Sequence, residues 1–492
     1  MAKKPNLYAL LGVLRSATQE EVRRAYLRAA KRLHPDTNTA PGETELFLGI
    51  QQAYQVLSDS SRRSAYDAQL GPDEELPPTF INQRILFSRK EISRMKQAQL
   101  VYVLLDLFPN EKQKRENSAA PLNICLVLDC STSMKGEKFD TAKSTAIHLV
   151  QRLKNQDLFS MVSFSDRAEV VLPATRQVNI QRSESKIRNL QTSGGTEILR
   201  GLQAGFEEVR RYASPRSINH ILLMTDGRTY GDEQACYELA QRAAEEGIGI
   251  SGFGIGSGWN DIFLDHLANV TGGTTMFVTQ PKDIERLLNE KFTNLSRAYA
   301  ENITLDYRPQ ENVEINYIFR LQPETGPLAS GSPIRLGPIL HDEPLSVLIE
   351  FRIKPLPERQ DALNLLDGRL EISSAIVEHP IPPNPLILAL SVKDNPTPEP
   401  PPASIIQAIS RLTYYRIQEK ARTEVTAGEY DQARDHLQNL ATRLLAQGER
   451  GLAATIMLEA EHIEKEKSFS QGGEKQIKYG TRALSLPKEK RP

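Results

Sequence analysis

The stretch Leu122-Asn-Ile-Cys-Leu-Val-Leu-Asp129-Cys-Ser131-Thr-Ser133-Met-Lys-Gly136 decides the fold of the central part of the chain. Its first seven residues are of strand length and almost wholly apolar, and a turn-forming Asp/Ser/Gly segment closes them. That pattern reads as a strand buried on both faces. A helical pattern follows to about Lys154. A second apolar run, 220–224, ends in Thr225-Asp226-Gly227, and between the two lies Thr192-Ser-Gly-Gly-Thr196-Glu, a Gly-rich loop that opens another helix. Strand and helix signals alternate through 119–298, which predicts a doubly wound parallel sheet covered on both faces. Open α/β sheets bind ligands at the carboxyl ends of their strands. Three loops there offer two carboxylates and several hydroxyls to one small region.

Such a donor set selects a hard cation. Mg2+ takes oxygen ligands in an octahedron at about 2.0–2.1 Å and keeps several waters. Asp129 and Asp226 balance its two charges, Ser131 and Ser133 offer hydroxyls from alternate residues, and Thr196 adds a third. Because hydroxyls are neutral, the cation stays electrophilic and can accept a carboxylate from another molecule. The pattern Asp129-x-Ser131-x-Ser133, with Thr196 and Asp226, resembles the metal-ion-dependent adhesion site of von Willebrand factor A (vWA) domains, and the likeness extends over 119–298, including Gly252-Phe-Gly-Ile-Gly256. The resemblance implies that Asp129, Ser131, Ser133 and Thr196 touch Mg2+ (or Mn2+), that Asp226 acts partly through water, and that a protein partner supplies an acidic residue. A dehalogenase-like phosphatase also places an Asp after its first strand, but needs a second acid two residues on, where this chain has Ser131. No Gly-x-x-x-x-Gly-Lys-[Ser/Thr] phosphate loop occurs.

Outward from this domain, residues 79–118 and 300–392 both read as strands, for example 81–87, 100–107, 303–307, 347–353 and 386–392. Together they supply the roughly seven strands of a β-sandwich. The expected architecture is therefore one split sandwich with the α/β domain inserted into it. Residues 393–403 form a Pro-rich linker, with five prolines between Pro396 and Pro402. Residues 404–467 have helical spacing broken at Gly428 and at Gly448-Glu-Arg-Gly451, and read as a three-helix element that caps the sandwich or mediates self-association. From Ser468 to the end at 492 the chain is polar and Lys-rich, so a poorly ordered tail is expected.

Residues 1–70 are helical by pattern, followed by a linker at 71–78. Thr18 and Glu21 form a capping box. Val22, Ala25, Tyr26, Ala29 and Leu33 then make one apolar face and leave Arg23, Arg24, Arg28, Lys31 and Arg32 outside it. Phe47, Ile50, Tyr54 and Leu57 mark the partner helix of a hairpin. The intervening turn begins His34-Pro35-Asp36, where proline ends the first helix. Taken alone, that tripeptide is a turn and the basic face is a solvated surface. In the company of Tyr8-Ala-Leu-Leu-Gly-Val13, Arg24-Ala-Tyr26, Ala53-Tyr54, Leu57-Ser-Asp59, Arg63 and Tyr66-Asp67 it resembles a J-domain. The resemblance implies that His34, Pro35 and Asp36 contact a DnaK-type (Hsp70 family) chaperone and stimulate its ATPase, with the basic face docking on an acidic chaperone surface. Thr37 stands where the family often has lysine, and no Gly/Phe-rich or Cys-rich segment follows.

With 61 basic and 62 acidic side chains the chain has no global charge for nucleic acid. Three cysteines without a CxxC pair fit neither a zinc module nor a disulfide framework, and suit a reducing compartment. No apolar run approaches the ~20 residues of a membrane span, and the N-terminus is a poor signal peptide. The expectation is a cytoplasmic, non-enzymatic co-chaperone adaptor. It would recruit a DnaK-type chaperone and hold a client protein through a Mg2+-dependent site, without nucleic-acid or membrane partners. The alternatives are a Mg2+-dependent phosphoryl-transfer enzyme or subunit, disfavoured by Ser131, and a scaffold with a vestigial J-domain, disfavoured by the intact His34-Pro35-Asp36.

Overall fold

A computed structural model describes residues 7–11, 41–69, 79–110, 120–176, 178–229, 231–356, 361–377, 381–397 and 399–484, with scattered residues between 19 and 30. Sixteen strands are described: β1 (Ile81–Phe87), β2 (Glu91–Ser93), β3 (Gln99–Pro109), β4 (Leu122–Asp129), β5 (Leu158–Phe164), β6 (Ala168–Thr175), β7 (Ile218–Thr225), β8 (Gly249–Ile255), β9 (Thr275–Val278), β10 (Ala298–Arg308), β11 (Val313–Gln322), β12 (Gly326–Pro327), β13 (Ile334–Leu340), β14 (Leu345–Ile353), β15 (Ala362–Ser373) and β16 (Asn384–Lys393).

The central sheet runs β6-β5-β4-β7-β8-β9. All pairs are parallel except β5–β6, so the expected doubly wound parallel sheet carries one antiparallel edge strand. Side chains alternate along β4 because the strand period is two. Ile124, Leu126 and Leu128 pack against the helices Glu137–Arg152 and Asp283–Ser296 on one face. Cys125 and Val127 pack against the helix Ile198–Arg210 on the other. From β4 the chain winds outward to β5 and β6, then returns to wind through β7, β8 and β9. The β4/β7 boundary is thus a topological switch point, with a crevice at the strand ends.

The strands on either side of this insert in the sequence make two five-stranded sheets, β1-β3-β14-β11-β12 and β13-β10-β15-β16-β2. One apolar core fills the space between them, combining Val101, Val103 and Leu105 of β3 with Ile303, Val347, Leu370 and Leu388 from beyond the insert. Arg320 of β11 is buried and ties sandwich to insert. Its guanidinium donates to the carbonyls of Gly273 (3.0 Å), Leu336 (3.0 Å) and Glu324 (2.7 Å). Gly337 is required beside it: φ is +110°, and a Cβ there would stand 2.1 Å from Arg320 Nη1.

The helices Ala403–Ala427, Tyr430–Ala446 and Arg450–Glu466 follow. Ile405, Ala408, Leu412 and Tyr415 of the first pack on Leu104, Phe319 and Leu348, on the outer face of one sandwich sheet. The flexible tail expected over 468–492 needs correction as far as residue 484, because Gly473–Ala483 is a helix with buried Lys475, Ile477, Lys478 and Arg482, while 485–492 lie outside the described residues. Its polar composition hides a buried face that is charged rather than apolar. Lys478 and Arg482 pair with Asp265 at 2.8 and 2.6 Å, on the helix Asp261–Thr271 of the α/β domain.

In the N-terminal region, Leu7–Leu11, Pro41–Leu57 and Ser60–Gln69 are helical. Tyr8, Leu11, Val22, Ile50, Ala53 and Leu57 form their core. The Tyr8 hydroxyl donates to Asp67 (2.6 Å) and accepts from Arg63 Nε (3.0 Å). The helix Pro41–Leu57 lies against the helix Ala403–Ala427. The linker at 71–78 lies outside the described residues.

His220, buried on β7, contacts Ser251 Oγ at 2.9 Å through Nε2. Burial, with help from nearby Lys291, pushes its pKa down to about 3. An unfolded histidine titrates near 6.5, so on acidification the unfolded chain takes up this proton first. The neutral-histidine contribution is complete above pH about 6.5 and is lost as the pH falls towards 3. Denaturant unfolding should show a loss of roughly 2 kcal/mol from this group by pH 5. That increment should be missing in His220→Gln, and parallel pH profiles for the two proteins would contradict the assignment.

Candidate functional site

Asp129 ends the central strand with no exposed surface. Its Oδ1 accepts from the Ser131 amide at 2.8 Å and its Oδ2 from Thr225 Oγ1 at 2.6 Å. Burial raises its pKa, these hydrogen bonds oppose the rise, and Asp226 adds to it. Asp226, also buried, follows β7: Ser133 Oγ donates to its Oδ1 at 2.6 Å and Lys138 Nζ to its Oδ2 at 2.8 Å. Ser131 Oγ and Ser133 Oγ stand 3.0 Å apart.

Thr196 reaches the site through backbone ties. Gly194 O accepts from the Thr132 amide (3.2 Å) and hydroxyl (3.0 Å), and the Ser193 amide donates to Cys130 O at 2.8 Å. Thr196 lies directly against Gly227, where a Cβ would stand 2.7 Å from Thr196 Oγ1. A side chain at 227 would displace Thr196, so the glycine is a spatial requirement. Beyond it, Thr229 Oγ1 accepts from the Ile198 amide (3.3 Å) and Asp232 Oδ2 from the Leu199 amide (3.2 Å). These bonds fix the start of the helix Ile198–Arg210 to the loop after β7.

The structure therefore brings Asp129, Ser131, Ser133, Thr196 and Asp226 together at the switch point. Among the described residues no group of three or more His, Cys, Asp or Glu could hold a metal. A cation here would rest on two carboxylates and hydroxyls, an all-oxygen set of the kind Mg2+ takes. Neighbouring ligand oxygens of an octahedral Mg2+ are about 2.9 Å apart, from its bond length. The Ser131–Ser133 and Ser133–Asp226 separations of 3.0 and 2.6 Å are hydrogen-bond contacts compatible with that spacing. Sequence reasoning missed two contributors. Thr225 stood inside the quoted Thr-Asp-Gly motif, but its hydroxyl points back to Asp129. Lys138 is the second residue of the following helix, and only the fold brings it to Asp226. Of the residues expected to contact a chaperone, Arg23 is helical and exposed. Arg24, Arg28, Lys31, Arg32, His34, Pro35 and Asp36 lie outside the described residues.

Residues 123–290 match the von Willebrand factor type A domain and residues 6–67 the DnaJ domain. The chain carries both of these domains. The DnaJ domain implies Hsp70 co-chaperone activity, and the VWA domain implies protein binding. Residues 403–487 match a third family, the Sll0103-like, C-terminal alpha-helical domain. The chain is 27% identical over 376 residues to the uncharacterized protein sll0103 of Synechocystis sp., covering 75% of this chain and 89% of that one. Its DnaJ domain is 54% identical over 67 residues to chaperone protein DnaJ 2 of Thermus thermophilus, a match that spans 24% of that chaperone. Among solved structures, the von Willebrand factor type A protein from Catenulispora acidiphila aligns with a TM-score of 0.64 at 15% identity, over 83% of this chain and 98% of that one. The ArnB paralog VWA2 from Sulfolobus acidocaldarius aligns at 0.52 and 16% identity, over 83% of this chain and all of that one. At such identities the likeness is one of fold. It takes in more of the chain than the VWA domain.

Thr225→Val tests the wiring of the VWA strand ends. It keeps the volume but removes the donor to a fully buried carboxylate. The expected cost is about 1–3 kcal/mol in unfolding free energy, and Thr225→Ser should recover most of it. Equal stability of Thr225→Val and wild type would show that Asp129 does not depend on this hydrogen bond.

Proposed function

We propose that this chain is a cytoplasmic co-chaperone adaptor, not an enzyme. Its DnaJ domain recruits and stimulates a DnaK-type chaperone, and its VWA domain holds a client protein in a Mg2+-dependent way. The observation that carries the reading is the combination in one chain of a DnaJ domain with a VWA domain whose Asp129, Ser131, Ser133, Thr196 and Asp226 converge at the sheet's switch point. Those five residues would hold Mg2+, or Mn2+, with Asp226 acting partly through water. When bound, the ion supplies a hard Lewis acid with a position open to a client carboxylate. The protein's own part is to exclude bulk water from Asp129, to keep Ser131 and Ser133 aligned, and to present Thr196 beside Gly227. Recruitment falls to His34, Pro35 and Asp36, with Arg23, Arg24, Arg28, Lys31 and Arg32 meeting an acidic chaperone surface. Among the described residues no helix is long and apolar enough to cross a membrane. Ser131 occupies the place of a phosphatase's general acid, which favours binding over phosphoryl transfer.

Two measurements separate the halves of this reading. The full chain should stimulate ATP hydrolysis by its cognate DnaK-type chaperone, and His34→Gln should abolish the effect without altering thermal unfolding. An unchanged ATPase rate with wild type would rule out recruitment. Mg2+ or Mn2+ at a hundred times its Kd should stabilise the chain by about 2.7 kcal/mol. Asp129→Ala should lose that increment while keeping ATPase stimulation. Equal metal-induced stabilisation in both proteins would place the ion elsewhere.

A further inference from the structure

The C-terminal helices meet the β4/β7 crevice at one short loop. After β8 the chain turns through 256–259 into the helix Asp261–Thr271. The loop backbone rides on Asp226, since a Cβ on Gly258 would stand 2.8 Å from the Asp226 carbonyl oxygen. From the same side, Arg228 Nε donates to Gly258 O at 3.0 Å. Trp259, wholly buried, donates from Nε1 to Gly256 O at 2.7 Å and closes the turn.

From the opposite side the loop is held by the helix Gly473–Ala483. Lys475 Nζ donates to Ser257 O at 2.8 Å and lies 5.4 Å from the centre of a Trp259 ring. The preceding Gly472 has φ +85°, and a Cβ there would stand 2.9 Å from Ser257 Cβ, so the two backbones are in close approach. Lys475 is only 2% exposed, and among the described residues no carboxylate stands within ion-pair distance of it. Burying an ammonium is expensive, and burial lowers its pKa against the longer-range attraction of Asp261 and Glu474. The neighbouring charges on the same helix face are paired: Lys478 and Arg482 with Asp265, and Lys478 with Asp261, which Arg422 grips at 2.7 and 3.0 Å. These pairs seat the helix. Lys475 spends its buried charge on a loop carbonyl instead.

We propose that Lys475 is a positioning residue of the metal site: by holding Ser257 it fixes the 256–259 loop against Asp226, so that the C-terminal helices and the cation-binding crevice order as one unit. The inference rests on reading Asp129 and Asp226 as a Mg2+ site. It makes the C-terminal domain part of the client-binding apparatus, and it goes beyond the sandwich-capping role that the helical pattern suggested.

Calorimetric titration of the full chain with Mn2+ is the test, joined to amide hydrogen exchange. Lys475→Met should bind Mn2+ about tenfold more weakly, within the range for residues that support metal ligands from outside the coordination shell. Lys475→Arg, which still reaches a carbonyl, should restore most of the affinity. Coupling between sites is reciprocal. In wild type, Mn2+ should therefore slow exchange across 473–483 as well as 256–260, and Asp129→Ala should show neither effect. That comparison needs no variant of Lys475 to fold. If wild type binds no Mn2+, the metal reading itself fails. If wild type binds Mn2+ but exchange across 473–483 is unmoved, or folded Lys475→Met binds as tightly as wild type, the metal reading stands and the positioning role of Lys475 is overturned.

Discussion

Two buried carboxylates at adjacent strand ends set the terms for the rest of the molecule. Asp129 and Asp226 end or follow β4 and β7, the strands on either side of the switch point, and both are removed from water. Charge buried in this way must be hydrogen-bonded and compensated or it destabilises the fold. The hydrogen bonds come from Thr225, Ser133 and the Ser131 amide. The compensation is partial, because Lys138 brings one positive charge to a site with two negative ones. In the proposed reading a divalent cation takes the site one charge positive, and a single carboxylate from a client brings it to neutrality. The charge of the crevice thereby favours an acidic partner without any global charge on the chain, whose basic and acidic side chains nearly cancel.

Much of this was legible in the sequence because the information is local. The apolar run before Asp129, the alternation of strand and helix signals, and the Asp-x-Ser-x-Ser, Thr196 and Asp226 positions depend on neighbouring residues and fixed spacings. The split sandwich was also legible, since the flanks on either side of the insert both carry strand patterns. The helix Gly473–Ala483 was not. Its buried residues include Lys475, Lys478 and Arg482, whose partners Ser257, Asp261 and Asp265 are more than two hundred residues away in the chain. No local pattern encodes such a pairing, and the polar composition argues the wrong way. Lys138 escaped for a related reason, as its role is set by a carboxylate on another strand. The antiparallel edge strand β6 follows a tight turn after β5, and strand direction at a sheet edge leaves little trace in composition.

The architecture joins the modules more closely than a string of independent domains. The helix Ala403–Ala427 is the common element: its N-terminal half packs on the sandwich through Ile405, Ala408 and Leu412, its C-terminal half grips Asp261 through Arg422, and the helix Pro41–Leu57 of the DnaJ domain lies against it. Arg320 ties sandwich to VWA domain in the same manner, by donating across the boundary to Gly273. A client held at the switch point would therefore sit on a body to which the chaperone-recruiting domain is seated. Delivery of the chaperone then depends on the geometry of that seat as well as on the length of the linker at 71–78.

In the proposed reading one chain brings a chaperone and a client together through two separable sites. Affinity purification of the tagged full chain from its own cells, with and without Mg2+, should separate them when wild type, Asp129→Ala and His34→Gln are compared by quantitative protein identification. A set of proteins should co-purify only with Mg2+, be lost in Asp129→Ala and persist in His34→Gln, while the DnaK-type chaperone shows the opposite dependence on the two substitutions. An identical set of co-purifying proteins from wild type and Asp129→Ala, whatever the Mg2+ concentration, would contradict it.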